Sequence, residues 1–271
     1  MIFKRISFKT VPAPGSVVLL ALGDPINKSA VLEHLAGAEA SVMGSPPCGT
    51  FLCALIDPAT TNPEAIKQAE AWLLGPAPSQ ANLAQRIFLD KRESTWLLFV
   101  PGGAVLCAHA AEANELLAAT AEALFFEREL ALIEAEVSAN WVRTEGDLPL
   151  VNVVGKADIK RMDDLSRTAR EIWQRRIKLA KIESALAKPG IALTRRGRLL
   201  GKRLRIALDI EGRVERLDGH LEVCEYIYEM VSQRMGEYIN FRHGFLIEIL
   251  IVVLLALELM VMLWEVWRSY R

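Results

Sequence analysis

The chain has 271 residues, of which 52% are hydrophobic and 24% are charged, so its composition is that of a folded protein and excludes a disordered one. Its four cysteines are too few and too far apart for a disulfide scaffold, which favours a reducing compartment. The net charge of −1 hides an uneven distribution, because the segment from Lys156 to Arg205 holds 16 Lys or Arg and five Asp or Glu. One strongly basic stretch therefore lies within an otherwise acidic chain.

Residues 1–140 alternate short apolar runs with helical patterns, which predicts an α+β head domain whose strand order the patterns do not determine. Strands are predicted at Met1–Val11, Ser16–Gly23, Thr50–Asp57, Thr95–Val100 and Ala104–Ala108. The last two flank Pro101-Gly102-Gly103 and predict a β-hairpin. Helices are predicted at Asn27–Ala36, Pro63–Leu74, Ala81–Leu89 and from Ala110 to about Ala139.

A linker is predicted at residues 141–157, with a short strand at Leu150–Val154, before a helical neck at residues 158–243. The first neck helix covers Asp158–Ala187 and ends ahead of Pro189-Gly190, and the second begins near Thr194. Because the connection is short, the two helices are expected to form a long antiparallel, coiled-coil-like hairpin.

The second neck helix carries a heptad seam, in which apolar residues recur at alternating spacings of four and three. Its members are Ile210, Val214, Leu217, Leu221, Cys224, Tyr228, Val231, Met235 and Tyr238. The seam has to be buried against the first helix, against another subunit, or against both. Packing between chains would make the protein a homo-oligomer.

One C-terminal transmembrane helix is predicted at residues 244–267, followed by a tail at 268–271. The run Phe245–Trp264 has 20 residues without Lys, Arg, Asn, Pro or Gly, enough to span roughly 30 Å of hydrocarbon. Trp264 and Trp267 supply an aromatic belt. The implied partner is a lipid bilayer, and the alternative is a helix buried in a soluble core.

Two carboxylates, Glu248 and Glu258, lie inside this apolar run. Ten helical positions separate them, so they lie about 80° apart on one strip of the helix. The strip is interpreted as a helix–helix contact or as an ion or proton site. The plainer alternative is that Glu248 reaches the interface while burial keeps Glu258 protonated.

The N-terminal apolar run Ser16–Gly23 is too short for a signal peptide or a membrane span. The expected topology is therefore a single pass, with the N-terminal bulk in the cytoplasm.

No nucleotide-binding or catalytic motif stands out, so no enzymatic activity and no cofactor or metal is predicted. His220 and Cys224 have the spacing of a metal-binding pair on one helix face, but Cys224 also belongs to the seam, where packing explains it. An enzyme whose site lies in the head domain is kept as a third hypothesis.

The basic stretch is the most informative candidate for a binding surface. Its members are Arg175, Arg176, Arg195, Arg196, Arg198, Lys202, Arg203 and Arg205. They are interpreted as a solvated face paired with the acidic remainder, as a phosphate-binding surface for RNA or a ribosome, or as a contact with anionic lipid head groups. Roughly 40 helical residues, or about 60 Å, separate the cluster from the membrane run, which favours nucleic acid or protein over lipid.

Leu208–Met260 resembles the "required for meiotic nuclear division 1" family, also called domain of unknown function 155. The family's R-x-x-x-L-N/D element corresponds to Arg213–Asp218, and its Leu-Glu before a membrane helix with a second Glu corresponds to Ile247-Glu248 and Glu258. The hairpin Trp96–Ala108 is similar to another family element, whereas the family's F-W-E element has no counterpart.

The resemblance implies a non-enzymatic, membrane-anchored protein that self-associates. Eukaryotic relatives in this family include a mitochondrial inner-membrane protein that supports translation by holding ribosomes near the membrane. The expected membrane is therefore the bacterial inner (cytoplasmic) membrane, or the mitochondrial inner membrane if the source is eukaryotic. The predicted function is therefore a self-associating membrane scaffold that tethers an anionic partner, RNA or ribosome. The alternative is an oligomeric channel or transporter lined by Glu248 and Glu258.

Overall fold

The computed structural model describes residues 2–22, 26–34, 50–59, 62–74, 85–89, 94–100, 103–188 and 193–269. In these ranges the strands are β1 (Ile2–Lys9), β2 (Val17–Leu22), β3 (Lys28–His34), β4 (Thr50–Ile56), β5 (Gln85–Phe88), β6 (Trp96–Val100) and β7 (Gly103–Cys107). The helices are α1 (Pro63–Leu74), α2 (Ala110–Asp147), α3 (Met162–Leu186), α4 (Arg195–Ala207) and α5 (Ile210–Ser269).

The seven strands form one mixed sheet in the order β2-β3-β1-β4-β7-β6-β5. Only the β4–β7 pair is parallel among these described strands, and every other neighbouring pair is antiparallel. The predicted hairpin is confirmed in β6 and β7, which pair from Trp96↔Cys107 to Val100↔Gly103. Of its turn, Pro101 and Gly102 lie outside the described residues.

Both faces of the central strands are covered by helices, which explains why β6 and β7 are buried along their whole length. On one face, Trp72 and Leu73 of α1 pack in a core cluster with residues of β4, β6 and β7. On the other face, Phe125 of α2 contacts Phe8 of β1, with ring centroids 5.0 Å apart. Helix α1 on one face and helix α2 on the other therefore form an α+β core with the central strands of the sheet.

Three predicted elements of the first 154 residues are wrong in type. The expected helix at Asn27–Ala36 contains strand β3 instead, because Lys28–His34 pairs with β1 on one side and β2 on the other, and residues 35 and 36 lie outside the described ranges. The expected helix at Ala81–Leu89 includes edge strand β5, and its residues 81–84 lie outside the described ranges. The expected strand at Leu150–Val154 begins instead within a 3₁₀ turn, Leu148–Val151. In the first two cases the run is short, and pairing with distant residues outweighs local propensity.

The helical half differs from the sequence prediction at its boundaries. Helix α2 continues to Asp147, so residues 141–147 of the predicted linker are helical. The second neck helix is not continuous, because Asp209 has a φ of 48° and separates α4 from α5. Gly244 does not break α5, which runs on through the apolar segment. The antiparallel hairpin stays a prediction, and the predicted stop at Pro189-Gly190 lies outside the described residues.

The chain divides into two compact units. The sheet unit comprises Met1–Ala135 and Ile177–Asp218, and the anchor unit comprises Glu136–Arg176 and Gly219–Arg271. The prediction assigns α4 to the neck, whereas this division groups it with the sheet. Helices α2, α3 and α5 each contribute residues to both units.

The heptad seam is buried within the single chain. Eight of its members are at most 9% exposed, namely Ile210, Val214, Leu217, Leu221, Cys224, Tyr228, Val231 and Met235. A buried side chain has little surface left for a second copy. The seam therefore packs within one chain, and its predicted role in oligomerisation stays a prediction.

In the sheet unit, Arg213 links the start of α5 to α2 through a bidentate ion pair with Glu134. Its Nε lies 2.7 Å from Oε1 of Glu134, and its Nη2 lies 2.7 Å from Oε2 of the same carboxylate. Glu127 lies 3.7 Å from the guanidinium. Burial raises the pKa of the Glu127 carboxyl, and the nearby Arg213 charge opposes that rise. The positive charge of Arg213 therefore offsets the repulsion between the carboxylates of Glu127 and Glu134 on α2.

Replacing Arg213 with Met should lower the free energy of unfolding of the full chain by about 2 kcal/mol near neutral pH. Without the guanidinium the pKa of Glu127 rises further above that of the unfolded chain. The folded variant then binds more protons, so its stability falls more as pH rises through this window. Chemical unfolding in detergent at about pH 5 and about pH 7.5 should show a larger loss at the higher pH.

Arg216→Met is the matched control, because the Arg216–Asp209 pair, 2.9 Å apart, is exposed on both sides. This variant should change the unfolding free energy by less than about 0.5 kcal/mol. Equal losses for the two arginine variants would contradict a special role for Arg213.

Candidate membrane-anchoring and anion-docking surfaces

The apolar segment of α5 is exposed on all sides. From Phe245 to Trp264 every large hydrophobic side chain is 45–65% exposed, at consecutive positions around the helix. The segment has a mean hydropathy of 2.8 and is long and apolar enough to cross a membrane. Soluble monomers rarely expose so large a continuous apolar surface, so this helix is a candidate anchor.

Glu248 and Glu258 are both exposed within this segment. Because α5 is helical throughout, the predicted spacing holds, and the two carboxylates lie about 80° apart around the axis. No other residue between Phe245 and Trp264 is charged. The segment therefore presents one strip with two acidic side chains on an otherwise apolar surface.

Placing two arginines at Leu254 and Leu255, the centre of the apolar segment, should prevent stable membrane insertion. Each charge costs about 2.5–3.5 kcal/mol at that depth. The native chain should stay in the membrane pellet after alkaline carbonate extraction, and the variant should be released or degraded. Arginines at Val223 and Tyr226, which are exposed in the anchor unit before the segment, should leave the native distribution unchanged. Release of the native chain by carbonate would contradict the anchor.

Most members of the basic stretch already have interaction partners. In the anchor unit, Nε of Arg175 lies 3.0 Å from Oε2 of Glu136, and Arg176 also has an interaction partner. In the sheet unit, Arg196 pairs with Glu112, Arg203 donates to the carbonyl of Phe88, and Arg205 donates to the carbonyl of Leu186 at 3.0 Å. Arg175 and Arg196 are therefore paired with acidic residues, as one interpretation of the basic stretch expects, whereas Arg203 and Arg205 bond to backbone carbonyls.

Three cations of α4 differ from the others. Arg195, Arg198 and Lys202 are exposed, and none of them has a hydrogen-bond or ion-pair partner among the described residues. Their spacing of three and four places them on one side of α4, here called the α4 basic face. Leu199 and Ile206, which are 42% and 67% exposed, lie on the same side. The face is therefore cationic with two aliphatic side chains between the charges.

The α4 basic face is held in place by α2. Oε1 of Glu115 accepts hydrogen bonds from the backbone N–H of Thr194 at 2.7 Å and of Gly197 at 3.3 Å. A Cβ at residue 197 would lie 2.7 Å from that oxygen, so glycine permits the close approach. The opposite side of α4 is buried through Leu200 and Leu204. The carboxylate caps the helix, and the packing turns the three cations outward.

A buried polar cluster in the anchor unit was not predicted from the sequence. Oδ2 of Asp147, which is 1% exposed, accepts a hydrogen bond from the Tyr228 hydroxyl at 3.0 Å, and Oδ1 lies 2.5 Å from Arg161. Thr144 contacts the sulfur of Cys224 at 3.8 Å. Burial first, and then the hydrogen bond to Asp147, raise the pKa of Tyr228 to about 12. The cluster joins the end of α2 to α5 within this unit.

The sequence pattern predicted only two members of this buried polar cluster. Cys224 and Tyr228 belong to the predicted seam, but their partners on α2 lie 80 and 81 positions away in the chain. His220, considered as a metal ligand with Cys224, stacks on Trp141 with ring centroids 5.3 Å apart. Among the described residues, no group of three or more His, Cys, Asp or Glu is placed to hold a metal ion.

Tyr228→Phe should lower the unfolding free energy by about 1–2 kcal/mol near neutral pH, because it leaves one oxygen of buried Asp147 without its donor. The folded pKa of Tyr228 exceeds that of a free tyrosine, so its contribution is complete below about pH 10 and is lost as pH rises toward 12. Chemical unfolding measured across this range should show the two proteins converging at the alkaline end. Tyr226→Phe, at an exposed position, should keep the native profile. Parallel profiles for native chain and Tyr228→Phe would contradict the assignment.

No protein-family model matches the chain, and no curated protein matches it in sequence. The resemblance of Leu208–Met260 to the domain of unknown function 155 family therefore stays a prediction. Arg213, the arginine of the element that resembles the family, forms an ion pair with Glu134.

Proposed function

We propose that the chain is a membrane-anchored scaffold that docks a large anionic partner, RNA or a ribosome, on the α4 basic face. One observation carries the proposal: three cations project from one side of α4 without partners in the described chain, while Arg196 is ion-paired and Arg203 and Arg205 donate to backbone carbonyls. Unpaired Lys and Arg on a rigid helix suit phosphate groups, because releasing condensed counterions from the nucleic acid drives binding.

The anchor in this proposal is the exposed apolar segment of α5. The proposed topology is a single pass with the N-terminal bulk on the cytoplasmic side of the inner membrane, where ribosomes and RNA are found. The α4 basic face belongs to the sheet unit, and the apolar segment belongs to the anchor unit. Docking and anchoring are thus assigned to different parts of the chain.

Changing Arg195, Arg198 and Lys202 to Glu should weaken binding of single-stranded RNA by the detergent-solubilised full chain by at least about tenfold. If the three residues each contact one phosphate, the slope of log K against log salt should also fall by about 2. Fluorescence anisotropy with a labelled oligonucleotide of mixed sequence at several salt concentrations measures both quantities.

The matched control changes Lys156, Lys160 and Arg170 to Glu, three exposed cations of the anchor unit that also have no partner among the described residues. This variant has the same net charge as the test variant. If both triple variants lose the same affinity, binding reflects overall charge and the α4 basic face is not the site. If neither changes, RNA docking is wrong.

Self-association, in this proposal, uses the apolar segment of α5, since the seam is already buried. The strip of Glu248 and Glu258 supplies hydrogen-bonding groups that could pair helices in lipid. The same strip supports the alternative function, an oligomeric channel lined by these two residues. Ion flux through liposomes containing the full chain separates the two, because a scaffold conducts none and a channel loses flux in Glu258→Gln.

A further inference from the structure

The two edges of the seven-stranded sheet are protected to different degrees. Strand β5, at one edge, has four residues, among them Arg86. Helix α4 lies against β5, and Arg203 of α4 donates a hydrogen bond to the Phe88 carbonyl. Short length, charge and cover are means by which proteins keep a sheet edge from pairing with another chain. Strand β5 has all three, whereas strand β2 at the opposite edge is longer and uncharged.

Strand β2 presents an exposed backbone edge. Its six residues are Val-Val-Leu-Leu-Ala-Leu, and no described strand pairs with them on the side away from β3. Val17 and Val18 are 57% and 44% exposed, and Ala21 is also exposed. The register with β3 shifts between Val18 and Leu20, and pairing resumes there for three residues. The outer N–H and C=O groups of β2 can therefore pair with another extended strand.

A second copy of β2 fits this edge without an electrostatic conflict. Two copies related by a two-fold axis present the same strand to each other in antiparallel orientation, so both exposed edges are paired at once. A strand with charged residues would bring like charges opposite each other in such a pair, which is destabilising. Because the sequence has no charged residue between Thr10 and Gly23, no register of β2 with itself creates this repulsion.

The membrane anchor favours a second copy over a freely diffusing peptide as the partner of β2. This step depends on the proposed function, because copies held in one membrane have a raised effective concentration around each other. Strand addition also needs no pocket, since the main-chain hydrogen bonds of the edge supply the affinity. An exposed, uncharged edge on an anchored chain is therefore matched to its own copy.

We propose that two copies of the chain pair through β2, antiparallel across a two-fold axis. The pairing joins the seven described strands of each copy into one continuous sheet. It buries the exposed backbone edge and brings Val17 and Val18 of each copy against the other copy. This surface belongs to the sheet unit and is separate from the apolar segment of α5 and from the α4 basic face.

Hydrogen exchange of the full chain in detergent, followed by mass spectrometry, tests the pairing through Val18 and Ala21. The lysine variant combines Val18→Lys with Ala21→Lys, and the glutamate variant combines Val18→Glu with Ala21→Glu. In either variant alone, like charges oppose each other across the axis, so the β2 backbone should exchange about tenfold faster than in the native chain. An equimolar mixture of the two variants should recover slow exchange, because opposite charges then face each other.

Leu132→Lys is the matched control, because Leu132 lies in the sheet unit and is 47% exposed, close to the 44% of Val18. It should leave the exchange of β2 at the native rate. Self-association through α5 is the same in every sample and does not produce a difference between them. For variants that keep the melting temperature of the control, pairing through β2 is wrong if the lysine variant exchanges like the native chain. It is equally wrong if the mixture fails to recover slow exchange, or if Leu132→Lys has the same effect.

Cross-linking with a short bismaleimide decides the question without a charged variant. In the register that pairs all six residues of β2, the two Val18 positions lie about 11 Å apart. Val18→Cys should therefore give at least about fivefold more cross-linked dimer than Leu132→Cys in the full chain in detergent. Both proteins carry Cys48→Ser, and the three native cysteines in the described residues are buried. Equal yields would overturn the pairing, and neither test uses RNA or a membrane, so its failure is separate from a failure of the proposed function.

Discussion

Helix α5 is one continuous element whose apolar side chains lie in two different environments. Up to Met235 the side chains of its heptad seam are buried by the rest of the chain, and from Phe245 onward its apolar side chains are exposed. Helical hydrogen bonds satisfy the backbone within the segment, which is the condition for crossing a lipid bilayer. The absence of a break at Gly244 makes the anchor a direct extension of a packed helix. The proposed scaffold depends on this continuity.

The acidic helix α2 explains the charge asymmetry of the sequence. Two of its carboxylates pair with members of the basic stretch, Glu112 with Arg196 and Glu136 with Arg175, and Glu134 pairs with Arg213 at the start of α5. Ion pairs of this kind add little stability when exposed and more when partly buried, as at Arg213. For function, the important residues are the cations that take part in none of these ion pairs. Once these pairs are formed, the cations of the α4 basic face are left without carboxylates.

The sequence predicted features that depend on local pattern. The hairpin of β6 and β7, helix α1 and strand β4 were predicted with boundaries close to the observed ones. The apolar segment was predicted because 20 consecutive positions, all apolar except Glu248 and Glu258, match the length of a membrane-spanning helix. The α4 basic face was predicted only as part of a larger cluster of eight residues. No local rule indicates which arginine will find a carboxylate 79 or 84 positions away.

Length and hydropathy by themselves determined that this chain has a helix able to cross a membrane and an α+β region ahead of it. Spacing by itself determined that residues from Ile210 to Met235 form a buried stripe. Only the tertiary structure decided that β3 is a strand, because its pairing with β1 and β2 outweighs local preference. It also decided that Asp209 ends one helix and begins another, and which three cations of α4 stay unpaired. Those outcomes depend on contacts between distant residues, whose distances no local sequence pattern specifies.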